Sequence, residues 1–399
     1  MKKALPSILI LTTAVFLTGL AENIFIGILP DVAKGLSVTE TEAASLISVF
    51  SLTYALYAPF AAVVAFRVNT KLALQISLAI FTAVNLVVMV PDTGLFVLNC
   101  SRVINAIVCA QISVSAVIYA VGQVTEEYRA RAIGLVYLGI SGSTFLGVPV
   151  GVWITHMSSW RATGLAMVLL GVVTICLVSV KLPYVKTVKH EGSPIRLFTA
   201  HLKDIKQLLG QLVSVLFIAG HFVLFTYLTS YSGNKGFSGP EMESFIFIIF
   251  GISGVAGGLL AGTFSDLIGR KTALITIPVL YILATFLLSI AEDPIMFFIC
   301  LSFWAAASWS ISPVVQSYLI GLARSPSDVV IGVNTSAMHL GVALGATVGG
   351  RLLISEDLSS LPWGAIGLVL PALVLALLSI ALSSDSIEST EKCEKGIGG

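Results

Sequence analysis

Long apolar stretches alternate with short polar connections along the whole of this 399-residue chain. An α-helix rises 1.5 Å per residue, so about 20 apolar residues cross the hydrocarbon of a bilayer. Twelve stretches reach that length: residues 5–30, 43–65, 72–91, 95–121, 131–155, 161–181, 208–231, 244–264, 272–291, 295–322, 329–353 and 362–383. They are expected to form twelve membrane-spanning helices, numbered spans 1 to 12 in chain order. The first follows Lys2 and Lys3, as a secretory signal would. Its apolar run is too long for a signal core and no small-x-small cleavage site ends it, so it reads as a span. The longest polar stretch between spans, KLPYVKTVKHEGSPIRLFTAHLKDIKQ, separates two sets of six. The expected organisation is a half over 1–181, a linker over 182–207, a second half over 208–383 and a polar tail over 384–399.

Composition agrees with burial in lipid. The chain is 56% hydrophobic and 11% charged, whereas soluble domains are about 25% charged. A net charge of +1 provides no basic surface for nucleic acid. Cys100, Cys109, Cys176, Cys300 and Cys393 are scattered, and the five histidines show no ligand spacing, so neither a disulfide framework nor a metal site is expected. With the N-terminus placed inside, Lys2, Lys3, Arg67, Lys71, Arg129, Arg131, Arg270, Lys271, Arg324, Lys392 and Lys395 fall on the inner side, as do six more basic residues in and beside the linker. Only Lys34, Arg161, Lys235 and Arg351 fall outside. This asymmetry predicts an all-α integral membrane protein with both termini in the cytoplasm.

The two halves match each other in places. GVPVGVWI at 147–154 aligns with GATVGGRLL at 345–353, a shift of 198. Ser143, Gly147 and Gly151 then match Gly341, Gly345 and Gly349, giving one small-residue stripe in span 5 and one in span 11. Such stripes let helix backbones approach closely in lipid. Pro149 and Pro313, inside spans 5 and 10, are expected to bend or loosen them. Between spans 8 and 9 runs GTFSDLIGRK. Its Gly262, Asp266, Gly269, Arg270 and Lys271 suit a short turn that sets a carboxylate beside basic groups and a helix N-terminus, a charge latch that can open and close. A solvated basic loop would account for the two cations but not for the glycine–aspartate spacing.

The two-half, twelve-span plan with GTFSDLIGRK resembles the major facilitator superfamily over essentially the whole chain. GILPDVA (27–33), SRVINAI (101–107), YRARAIG (128–134), LGVPVG (146–151), AGHFVLFTYL (219–228), SWSISPVVQSYLI (308–320) and NTSAMHLGVALGATVGG (334–350) resemble its drug–proton antiporter branch, and within it the bacterial purine-base and arabinose-type efflux permeases. The resemblance implies alternating access in the cytoplasmic membrane, export of a small molecule and a proton gradient as the energy source, without a cofactor. LGVPVG favours antiport through this resemblance alone. The first-half counterpart of the latch, AAVVAFRVNTK (61–71), lacks its aspartate and glycines and keeps Arg67 and Lys71.

Within this plan the carboxylate of Glu22 stands alone in FLTGLAENIFIGILPDVA. It lies roughly 12 Å from the outer end of span 1, and Arg102 lies roughly 10–15 Å from the outer end of span 4, by the helical rise. A charge at that depth costs at least ~2.5–3.5 kcal/mol unless paired or wetted, so it marks a functional candidate. Glu22 is the expected proton-coupling group and Arg102 its modulator; the competing reading is a structural bridge between them that never titrates. Adding 199 to Glu22 reaches His221, which shares a helical stripe with Phe217 and Phe225. Those three, with Tyr137, Asn334 and Trp309, are the candidate substrate-binding side chains. Each serves equally well in packing or in bridging helices. Asn105, Gln111 and His339 are further polar residues within spans.

The function expected is proton-coupled efflux of small molecules by a monomer that meets only substrate, protons and lipid. Purine bases or nucleosides rank first, then sugars and drugs such as chloramphenicol. A proton-linked or uncoupled importer of sugars or nucleosides keeps the same fold. An intramembrane serine protease, suggested by GISG at 139–142 and 251–254, needs a histidine base beside the serine. No HExxH and no phosphate-cradling Gly-x-x-x-x-Gly-Lys loop occurs.

Overall fold

The computed structural model describes residues 4–125, 128–184, 203–322, 327–355 and 357–397. Most of the expected linker, 185–202, lies outside them. Every regular element among the described residues is helical. Twelve helices are long and apolar enough to cross a membrane: spans 1 (Leu5–Gly27), 2 (Glu40–Ala65), 3 (Thr70–Met89), 4 (Leu95–Gly122), 5 (Arg131–Met157), 6 (Ala162–Lys181), 7 (Ile205–Phe225), 8 (Pro240–Ile268), 9 (Arg270–Ile290), 10 (Pro294–Leu322), 11 (Val329–Ile354) and 12 (Leu358–Ser383). The last helix runs on to Ile397, so the polar tail continues it.

Burial separates the spans into layers. Spans 1, 4 and 7 bury 67, 67 and 78% of their apolar stretches, against 33 and 28% for spans 6 and 12. The peripheral spans instead present large apolar side chains outward: Leu169 on span 6 and Leu370 and Val374 on span 12 are exposed. Apolar side chains outside and a polar cluster inside suit a chain whose solvent is lipid.

Span 1 was expected to reach residue 30 and span 7 residue 231; both stop short. Span 1 ends at Gly27, and a separate helix, Leu29–Leu36, follows a break at Ile28 with φ −115° and ψ 17°. Pro30 accounts for it: its ring would meet the carbonyl four residues back, and it has no N–H to donate. Span 7 ends at Phe225, and Leu228–Asn234 follows a break at Tyr227 with φ −112° and ψ 22°. No proline stands there. Tyr227 is held by its hydroxyl, which donates to the carbonyl of Ala346 on span 11 at 3.0 Å. The two breaks lie 199 residues apart, the same shift that relates Glu22 to His221.

The small-residue stripes are contact seams. A Cβ at Gly147 would meet Leu20 at 2.7 Å and one at Gly151 would collide with Ile24, both on span 1. One at Gly341 would reach the carbonyl of Val215 at 2.6 Å; one at Gly345 would meet Phe222 Cβ at 2.8 Å and one at Gly349 Tyr227 at 2.7 Å, so span 11 packs on span 7 in the same way. The seams differ in one respect. Span 5 relaxes into a π-helical turn over Ser143–Gly147 before resuming at Val148, whereas span 11 lies within one unbroken α-helix, Ser327–Ser355. Pro149 accounts for this, since it cannot donate to the carbonyl four residues back; its counterpart in span 11 is Thr347. The GISG segments belong to the same packing: a Cβ at Gly251 would sit 2.6 Å from Phe145 Cα.

The halves meet chiefly through spans 2 and 11 and spans 5 and 8. Hydrogen bonds between them gather at one end of the spans. Thr229 donates to Gly27 O at 3.2 Å, Ser230 to Glu40 at 2.5 Å, Thr41 to Gly350 O at 3.1 Å and Ser244 to Pro149 O at 3.4 Å. Ser48 and Thr347 pair at 3.2 Å, and His156 Nε2 lies 3.0 Å from Glu243 Oε2. This is the end that the distribution of basic residues places outside.

Candidate functional site

Mid-depth between the halves, Glu22 meets a residue of the opposite half. Its Oε1 lies 3.4 Å from Nδ1 of His339 on span 11. Neither side chain is sealed: Glu22 keeps 15% and His339 11% of its exposure. The imidazole of His339 stacks on the ring of Tyr54 from span 2, with centroids 3.8 Å apart and planes 23° from parallel. Beside Tyr54, the hydroxyl of Ser113 on span 4 pairs with that of Thr18 on span 1 at 3.2 Å. Spans 1, 2, 4 and 11 thus converge on one carboxylate, one imidazole and one phenol.

Arg102 does not pair directly with Glu22. Its Nε donates to Leu46 O at 2.8 Å and its Nη1 to Ala21 O at 2.6 Å. Its guanidinium carbon lies 4.1 Å from the ring centre of Phe50 and 4.9 Å from that of Phe25. Planar geometry, weak hydration and five donors let a guanidinium fill such an aromatic box where an ammonium would not. The charge of Arg102 still attracts that of Glu22 through space, so Arg102 sets the field around the carboxylate without occupying it.

The second half builds a related box around His221. Its ring lies 5.0 Å from Phe225, 5.9 Å from Phe250, 5.1 Å from Phe222 and 5.1 Å from Trp304. Phe250 follows Phe50 by 200 residues and Trp304 follows Arg102 by 202, so the duplicated architecture carries the duplicated pocket with different contents. His221 is 3% exposed and neither ring nitrogen has a hydrogen-bond partner. Phe217 lies beyond it, against Tyr281 at 4.8 Å. His221, Phe217 and Phe225 are therefore interior side chains of the second half in this conformation. In this conformation the aromatic stripe lies on the buried face of span 7, where rings pack on rings.

Asn334 donates to Gln211 at 3.0 Å and to Ser214 at 2.7 Å, which ties span 11 to span 7. Asn105 and Asn85 bridge spans 4 and 3, and Gln111 donates to Ala61 O at 3.3 Å. Tyr137 is half-buried on span 5, close enough to Tyr54 for the two to interact electrostatically. Trp309 lines a crevice between the halves with Ser141, Thr144, Gly251 and Val255. Gly269 forms the corner of GTFSDLIGRK, with φ 86° in the region that favours glycine. Asp266, Gly262 and Arg270 are exposed around it, and no ion pair joins Asp266 to Arg270 among the described residues. The Arg270 guanidinium lies over Gly321 of span 10, where a Cβ would come within 2.6 Å of Nη1. Lys271 is half-buried at the start of span 9. In the first half Lys71 donates to Ser179 O at 2.9 Å and lies over the ring of Tyr184.

Sequence reasoning named Glu22 and His339 but did not join them: it set Arg102 beside Glu22, and the internal repeat related Glu22 to His221 within the architecture and not across it. Tyr54 was missed. Nothing in FSLTYALYAPF distinguishes the tyrosine that faces the other half from Tyr57, three residues on.

Comparison with known proteins agrees with this architecture. The chain is 30% identical over 374 residues to an uncharacterized MFS-type transporter, YbcL of Bacillus subtilis (strain 168), covering 93% of this chain and 95% of that one. It is 26% identical over 352 residues to a chloramphenicol resistance protein of Streptomyces lividans, covering 86% and 88%. It is 24% identical over 275 residues to a probable sugar efflux transporter of Pasteurella multocida, covering 67% of each. The crystal structure of a mutant of the nucleoside transporter NupG superposes with a TM-score of 0.71 at 14% identity, over 93% of this chain and 99% of that one, and so shares the fold. The model of the Major Facilitator Superfamily matches residues 11–346. Twelve spans, a shared fold and that match lead to one conclusion: the chain is a multi-pass membrane transporter belonging to the major facilitator superfamily.

Proposed function

We propose that the protein is a proton-coupled efflux permease of the cytoplasmic membrane, with both termini inside and two six-span halves, 1–181 and 208–383, rocking about a central site. The observation that carries this reading is the contact of Glu22 with His339 across the halves at mid-depth. With the hydrogen-bonded end outside, the conformation is sealed outside and its inner-side latch, Asp266 with Arg270, is unpaired. A carboxyl group that moves between wet and dry surroundings changes its affinity for a proton. Breaking and remaking the contact with His339 as the halves rock therefore couples protonation of Glu22 to access. The names of the relatives, sugar efflux and chloramphenicol resistance among them, support export. A nucleoside transporter of the same fold keeps purine bases and nucleosides among the first substrates to try.

The test uses purified protein in liposomes with an imposed pH gradient, labelled hypoxanthine and a drug panel that includes chloramphenicol. Wild type is expected to move substrate uphill, and Glu22→Gln to retain only downhill exchange. Uphill transport by Glu22→Gln, or a wild type indifferent to the gradient, would overturn the assignment.

A further inference from the structure

In this conformation His339 makes two contacts that a small flat ligand would make. One face of its ring lies on Tyr54 at 3.8 Å, and one ring nitrogen lies 3.4 Å from the carboxylate of Glu22. The stacking surface and the carboxylate come from spans 2 and 1, in one half, whereas the imidazole comes from span 11 in the other. Ser113 and Thr18 pair with each other beside Tyr54, and Arg102 is held by backbone carbonyls and aromatic faces. Tyr54 and Glu22 thus form a prepared half-site, and His339 is the piece that fills it.

We propose that His339 is a tethered occupant of the substrate site, displaced when a flat nitrogen heterocycle bearing an N–H takes its place between Tyr54 and Glu22. The inference rests on the reading of this mid-depth cluster as the transport site. Offset stacking on an aromatic face suits any flat ring. The carboxylate selects a ring that can donate, since a ring without an N–H leaves Glu22 unpartnered at a depth where that is costly. Displacing His339 also breaks a link between the halves, so an occupied site frees them to move. Ligand selection and release of the halves become one event because the same imidazole does both.

The test is a cavity-complementation experiment on the detergent-purified full chain. Free imidazole is titrated into wild type and His339→Ala, with N-methylimidazole as the ring without an N–H, and binding is read by calorimetry and thermal shift. His339→Ala is expected to bind imidazole at least tenfold more tightly than wild type does, and to prefer it over N-methylimidazole. Tyr54→Leu or Glu22→Gln in the His339→Ala background is expected to remove that gain. His339→Phe keeps a ring on Tyr54 and should exclude imidazole as wild type does; if the alanine does not fold, His339→Val, which also removes the ring, takes its place with the same expected gain over wild type and the same loss with Tyr54→Leu. Equal imidazole binding by wild type and His339→Ala, or a gain that survives Tyr54→Leu, would overturn the proposal. These measurements need no gradient, so they fail or succeed separately from proton coupling, which the liposome assay addresses.

Discussion

Arg102 and Glu22 look like a pair in the sequence and behave as two different kinds of residue in the structure. Arg102 is 2% exposed and committed to two carbonyl hydrogen bonds and two aromatic faces. Charge-assisted hydrogen bonds contribute about 1.5–3 kcal/mol each. Arg102→Lys keeps the charge but not the fork, and is expected to destabilise the protein by about 2–4 kcal/mol on that scale. The measurement is thermal unfolding in detergent, with Glu22→Gln as the comparison. Glu22 holds no comparable network, so Glu22→Gln is expected to unfold near wild type. A glutamine variant as unstable as the lysine variant would make Glu22 a structural residue and weaken the case for coupling. The depth of both charges was legible from the sequence because a charge in an apolar run is conspicuous. The partner of each was not, because a partner on another span leaves no spacing to read.

Helix seams and helix ends decide more than intrinsic helix preference does. Gly345 lets span 11 reach the backbone of span 7, and Gly345→Leu would drive a side chain into Ala219 and Phe222. Overpacking of that kind costs about 1–3 kcal/mol, so lower stability and loss of transport are expected, measured by unfolding and by uptake into vesicles. At the sealed end, burial pushes the Asp31 carboxyl above its usual range; His156 opposes this, Glu243 reinforces it and Lys34 opposes it more weakly. An acid whose affinity for protons is raised in one conformation favours that conformation below its ordinary titration range. The preference is lost as pH rises through the raised value. This predicts that closure of this end strengthens as pH falls. Spin labels on Ser158→Cys and Asn234→Cys should show a larger short-distance population at pH 5 than at pH 8, and Asp31→Asn should flatten the response. A population that grows with rising pH would refute the sign.

For the molecule as a whole, the two halves are sealed where Ser48 and Thr347 pair at 3.2 Å. Ser48→Cys with Thr347→Cys places two thiols at the same contact, within reach of a disulfide if the backbones hold their separation. Oxidation is expected to stop transport and reduction to restore it. Unimpaired transport by the oxidised, cross-linked protein would mean that these ends need not part.

Twelve spans, two halves and a membrane location follow from the sequence alone, because lipid demands about twenty apolar residues per crossing whatever the neighbours are. The Pro30 break and the Pro149 loosening were open to the same reading, since proline acts on its own helix. The break at Tyr227 was not, for the hydroxyl of Tyr227, just beyond span 7, bonds to a carbonyl on span 11. The same limit separated Glu22 from His339 and Tyr54. The internal repeat pointed Glu22 to His221, its counterpart by the 199-residue shift, and the fold gave it His339. Periodicity reports which residues share a helix face, whereas a transport site lies between faces and is determined only when the halves are brought together.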